Sequence, residues 1–148
     1  MGYQHIFQRA SFAHVCGDSI IAAIAGLALY ASFPPVGWWW LSVPAFALFV
    51  SRIDEARAPR ALTVTFVFGM SFWVPLINWI PLAIGTTPPW FVLALVQTFF
   101  FMGWVVFARW TQLWRWARGP LVQAFLFALT WAGVDAVRSR WPWSGFPW

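Results

Sequence analysis

The chain has 148 residues, 61% of them hydrophobic, 22% aromatic and only 9% charged, with a mean hydropathy of +0.70. A soluble domain carries about 25% charged residues, and one core of this size cannot hide so much apolar surface. These values exclude a disordered chain and a disulfide scaffold, and they point to lipid as the solvent for most of the protein.

All nine basic residues are Arg, there is no Lys, and the acids are Asp18, Asp54, Glu55 and Asp135. The net charge of +5 does not point to nucleic acid, because the Arg residues stand between apolar blocks, as in loops retained on the cytoplasmic side of a membrane. The sequence therefore predicts an all-α integral membrane protein.

Charge-free runs set the elements. Ser19 to Ser51 would form about 50 Å of helix, too long for one crossing of a ~30 Å hydrocarbon core. Pro34-Pro35 divides it, which predicts spans over 15–33 and 38–50. Ala61 to Ala108 is longer still and breaks between Pro81 and Pro89, giving spans over 61–80 and 90–107, with a kink at Pro75. A fifth span, 120–137, follows Gly119-Pro120. The N-terminal tail and the loops after the second and fourth spans all carry Arg and fall on one side, so the N-terminus is expected in the cytoplasm and the C-terminus outside it. Trp residues cluster at both expected boundaries, whereas Trp73, Trp104 and Trp131 fall mid-span and are expected to pack between helices.

Few residues offer chemistry. Cys16 has no lysine to activate it and reads as a small apolar residue of a span. His5 and His14 make a poor ligand pattern, so no metal is expected. Asp18 needs a partner at the membrane boundary, and Arg9 is the nearest candidate. Asn78 reads as a hydrogen-bonding group between helices.

The C-terminal stretch carries more. Asp135 and Arg138 are three residues apart, on one face of a helix, beside a Trp-rich tail. From the residues alone the pair reads equally as a guanidinium fork for a lipid phosphate and as a salt bridge that ends the helix.

The run Trp131-x3-Asp135-x2-Arg138 followed by Gly145-Phe146-Pro147-Trp148 resembles the end of the N-terminal membrane region of apolipoprotein N-acyltransferase. Ser32-Phe33-Pro34 with the aromatic Trp38, and Gly69 to Trp73 with Asn78-Trp79, are similar to further segments of that family. Asp135 stands where the family more often has Glu. The resemblance implies a multi-pass protein of a bacterial cell membrane. It implies an enzyme that transfers an acyl chain from a phospholipid to the α-amino group of the diacylglyceryl-cysteine of lipoproteins, through a thioester and without a cofactor.

The family's Glu-Lys-Cys site lies in a nitrilase-like domain after the spans. A chain without Lys cannot assemble that triad, so no catalytic residue carries over, and the 148 residues are expected to be an inactive N-terminal piece, as from a truncated reading frame. The substrate-side positions that carry over are Arg138, Gly145, Phe146, Pro147 and Trp148, with Asp135 orienting Arg138. Membrane phospholipid and lipoproteins are the implied partners. A non-catalytic anchor for a polyprenol-phosphate mannose synthase is the alternative.

Overall fold

The computed structural model describes residues 2–114 and 119–141, with side chains from Val15 onward except Glu55. The described residues are helices and turns: α1 (Gly2–Ala31), a 3-10 turn (Trp39–Leu41), α2 (Ser42–Glu55), α3 (Ala58–Leu76), α4 (Ile80–Ile84), α5 (Pro88–Thr111) and α6 (Pro120–Arg138).

Prolines set most of these boundaries. Each of α3, α4, α5 and α6 has Pro in its first turn, where the missing N–H costs nothing. Pro34-Pro35, joined by a cis bond, lies in the turn after α1, and Gly37 takes a left-handed φ of 73°. Pro75 lies within α3, which ends one residue later at Leu76. The expected break between the third and fourth apolar stretches is resolved by the short α4, closed by Gly85 at φ 82°.

Two helices outrun the apolar segments that mark them. α1 extends back to Gly2 and α2 forward to Glu55, past Arg52 and Asp54. Of the helices, α5 and α6 are long and apolar enough to cross a membrane, and residues 15–31 of α1 form a shorter apolar stretch.

The helices pack in the spatial order α2, α1, α3, α5, α6, with α2 leaning also on α3. Two small residues permit the close crossings. A Cβ on Gly26 of α1 would stand 2.5 Å from the Phe68 carbonyl of α3, and one on Gly69 of α3 would stand 2.8 Å from the Thr98 side chain of α5. Aromatic rings fill the centre: Phe49 stacks on Phe68 at 4.0 Å between centroids, and Trp104 meets Trp131 edge-on at 4.9 Å. Trp73 and Trp104 are buried and Trp131 packs against the same core, as the sequence predicts.

The turns at 32–38 and 77–87 mark a proline-rich end of the bundle. The connections at 56–57 and 112–119 mark an arginine-rich end. Near the arginine-rich end, buried Asp18 of α1 pairs with Arg60 of α3. Arg60 therefore takes the place expected of Arg9. Arg9 and Asp18 share one continuous helix, nine residues apart, which separates them by about 13 Å of rise. At the proline-rich end Trp90 donates its indole N–H to the Val74 carbonyl at 2.9 Å, a group left over by the end of α3. Asn78 is exposed in the turn after α3 rather than lodged between helices.

Candidate functional site: an aromatic cleft capped by Arg138

The packing order leaves its two terminal helices apart. Among the described residues the backbones of α2 and α6 do not approach each other, and between them opens a cleft of about 980 Å³, bridged by the edge-on contact of Phe46 with Trp131. Its floor is made by Phe72 and Trp73 of α3 and Phe101 and Trp104 of α5. One face of α2, from Ser42 to Asp54, forms a wall, about 18 Å of helix. The other wall is α6, through Phe127, Ala128, Trp131, Asp135 and Arg138. The lining is apolar apart from Ser42, Ser51, Asp54, Asp135 and Arg138.

These rings follow from helical spacing. Phe101 and Trp104 are three apart on α5 and share a face, whereas Phe72 and Trp73 are adjacent near the end of α3 and reach the floor from neighbouring faces, their ring centres 4.7 Å apart. Phe46 of α2 reaches toward both, 5.7 Å from Trp104 and 6.0 Å from Trp131.

Arg138 and Asp135 lie toward the proline-rich end. Arg138 is only 7% exposed. Its Nε and Nη2 donate to Asp135 Oδ1 at 3.0 and 2.5 Å, and its Nη1 donates to Gln97 Oε1 at 3.3 Å. Its guanidinium also lies 5.7 Å from the centre of the Trp73 ring, within cation–π range. A buried cation needs such a set, because desolvation without partners is costly. The Asp135 carboxylate stays partly open, with 43% of its side chain exposed. The greasy groove thus ends in a fixed Arg138–Asp135 ion pair whose guanidinium is buried and whose carboxylate is its more exposed member.

The structure brings Asp135 and Arg138 together as their spacing predicts. Gly145, Phe146, Pro147 and Trp148 lie outside the described residues. Sequence reasoning missed Gln97, which is 2% exposed and joins α5 to Arg138. An amide within an otherwise apolar helix was the available signal.

The sequence profile of the apolipoprotein N-acyltransferase N-terminal domain matches residues 25–148. The chain belongs to that family. A relative named apolipoprotein N-acyltransferase, from Mycolicibacterium smegmatis, is 36% identical over 87 residues. That alignment covers 57% of this chain and 14% of the relative. The chain thus matches the family's N-terminal domain and spans only a small part of that relative's length. No solved structure matches it.

Proposed function

We propose that these 148 residues form the membrane part of an apolipoprotein N-acyltransferase that admits phospholipid sideways between α2 and α6. The acyl chain lies on the aromatic floor, and the phosphate sits toward Arg138, oriented by Asp135. The observation that carries this is the cleft itself, open between two helices whose backbones stay apart and meet only through the Phe46 and Trp131 rings, and closed at one end by the buried Arg138.

Lipid as the surrounding solvent is supported by α6. Leu121, Phe125, Leu129 and Val137 are each more than half exposed along it. In this reading the chain crosses a bacterial plasma membrane five times, through α1, α2, α3, α5 and α6. The arginine-rich end is cytoplasmic, and the proline-rich end and C-terminus face outward. The 148 residues alone do not transfer acyl groups: they hold no Lys, and Cys16, the one cysteine, is exposed on α1.

A phospholipid with a photoactivatable acyl chain tests the cleft. It is expected to crosslink to Phe46 and Trp131 as well as to the lipid-facing Leu121, and labelling of Leu121 without Phe46 and Trp131 overturns the assignment. Topology is read with Arg57→Cys and Ser144→Cys in a Cys16→Ser background. Ser144→Cys reacts with an impermeant maleimide from outside and Arg57→Cys does not. In vesicles with a diacylated lipoprotein acceptor, the chain alone gives no triacylated product.

A further inference from the structure

A second cavity, of about 310 Å³, lies at the arginine-rich end among the last turns of α2 and α5 and the first two turns of α6. It has room for about ten waters at ~30 Å³ each. Its polar wall is Asp54, Arg109, Gln112 and Gln123. Val50, Asp54 and Phe127 line both this cavity and the aromatic cleft, so the two spaces adjoin.

The charges here are arranged unlike those at Arg138. Arg109 donates Nη1 to the Ile53 carbonyl at 2.7 Å, which fixes the guanidinium and satisfies a terminal carbonyl of α2. Asp54 accepts one long hydrogen bond, 3.5 Å from Gln112 Nε2. Among the described residues neither Asp54 nor Arg109 forms an ion pair, with each other or with anything else. An exposed acid and a partly buried base on one small cavity, not paired with each other, match a ligand that carries both signs. A plain anionic head would satisfy Arg109 and be repelled by Asp54; a plain cation would do the reverse.

We propose that this cavity binds the headgroup of a zwitterionic phospholipid, its primary ammonium toward Asp54 and its phosphate toward Arg109, with acyl chains passing into the aromatic cleft. This rests on the lipid-facing reading above. It adds a second lipid site, at the opposite end of the cleft from Arg138 and in the opposite leaflet. A lipid held there fills the inner half of the groove.

The test uses the 148-residue chain, delipidated in a nonionic maltoside detergent and titrated by native mass spectrometry. The probes are a phosphatidylethanolamine and a phosphatidylglycerol with identical acyl chains. Phosphatidylethanolamine is expected to bind about fivefold more tightly, the scale of one exposed ion pair. Asp54→Asn abolishes that preference, while Leu82→Ala, at an exposed position on α4 outside both spaces, leaves it intact. Because Arg109 also caps α2, the acid is the side varied, and an unchanged melting curve for Asp54→Asn shows that the fold is kept. If Asp54→Asn unfolds, Gln112→Leu, which lets the carboxylate swing away, must at least halve the preference. Equal binding of the two lipids overturns the proposal. So does a preference that survives Asp54→Asn or disappears in Leu82→Ala. Free glycerophosphoethanolamine should not displace the lipid at equal concentration; displacement would make the ligand a soluble zwitterion. Failure of the membrane reading itself appears elsewhere, in the maleimide labelling of Ser144→Cys and Arg57→Cys.

Discussion

Gln97 of α5 accepts a hydrogen bond at 3.3 Å from the guanidinium of Arg138, the last residue of α6. The two are 41 positions apart and both are buried. Gln97→Leu removes the acceptor and keeps the volume. It is expected to destabilise the protein by about 1–3 kcal/mol, the cost of stranding a buried donor. A thermal melt in detergent measures it, and a change below a few tenths of a kcal/mol would show that Arg138 does not depend on α5.

Arg138 itself is expected to resist conservative exchange. Lys keeps the charge but not the planar fork that reaches Asp135 and Gln97 together. Arg138→Lys should therefore lose phospholipid crosslinking in the cleft nearly as fully as Arg138→Gln does. Full retention in Arg138→Lys would make the site a simple point charge.

The Asp18–Arg60 pair, buried at its carboxylate and partly exposed at its guanidinium, ties α1 to α3. Arg60→Gln leaves the carboxylate without its cation and should cost on the order of 3 kcal/mol. Asp18→Asn added to Arg60→Gln should recover much of that loss, since two neutral groups need no counter-ion. A double-mutant cycle on melting free energies checks both signs, and strictly additive losses would mean that the pair is not coupled.

Glycine positions give a contrast within one chemistry. Gly26→Ala drives a methyl against the Phe68 carbonyl and is expected to destabilise by about 1–3 kcal/mol through forced separation of α1 and α3. Gly103→Ala, on α5, meets nothing within 4 Å and should be neutral or stabilise by up to about 1 kcal/mol. Melting curves of the two variants must move in different ways, or the crossing is not as tight as the geometry has it.

Trp90→Phe tests the end of α3. It keeps the ring packing but withdraws the donor from the Val74 carbonyl, for an expected loss of about 1 kcal/mol. Amide exchange should quicken at the end of α3 and the start of α5 and stay unchanged in α1.

Much of the helical layout is legible in the sequence because proline leaves a mark that does not depend on context. Pro34-Pro35, Pro88 and Pro120 each bound a helix where the backbone has no donor to give. Charge is a poorer guide. Arg52 and Asp54 suggest an end to the second helix, yet α2 continues through both, since helix geometry is indifferent to polarity at an exposed turn. The long-range partners are the least legible. Asp18 has Arg9 nearby in sequence, but helical rise carries the two apart and folding brings Arg60 instead. The Asp135–Arg138 pair is local and can be read from spacing alone. Gln97 becomes part of that site only when α5 and α6 meet, which hydropathy does not encode.

The unequal anchoring of α6 has a mechanical consequence. Its backbone packs on that of α5, its buried residues among those described are Leu126 and Arg138, and it reaches other helices only through Trp131 against Phe46 of α2 and Arg138 over Trp73 of α3. Tilting it outward would uncover little of the core and strain few contacts, whereas α3, gripped from three sides, has no such latitude. The groove is therefore bounded by one rigid jamb and one compliant leaf, whose latch is the Arg138–Gln97 bond, so its width can adapt to bulkier tails while the aromatic bed beneath stays fixed.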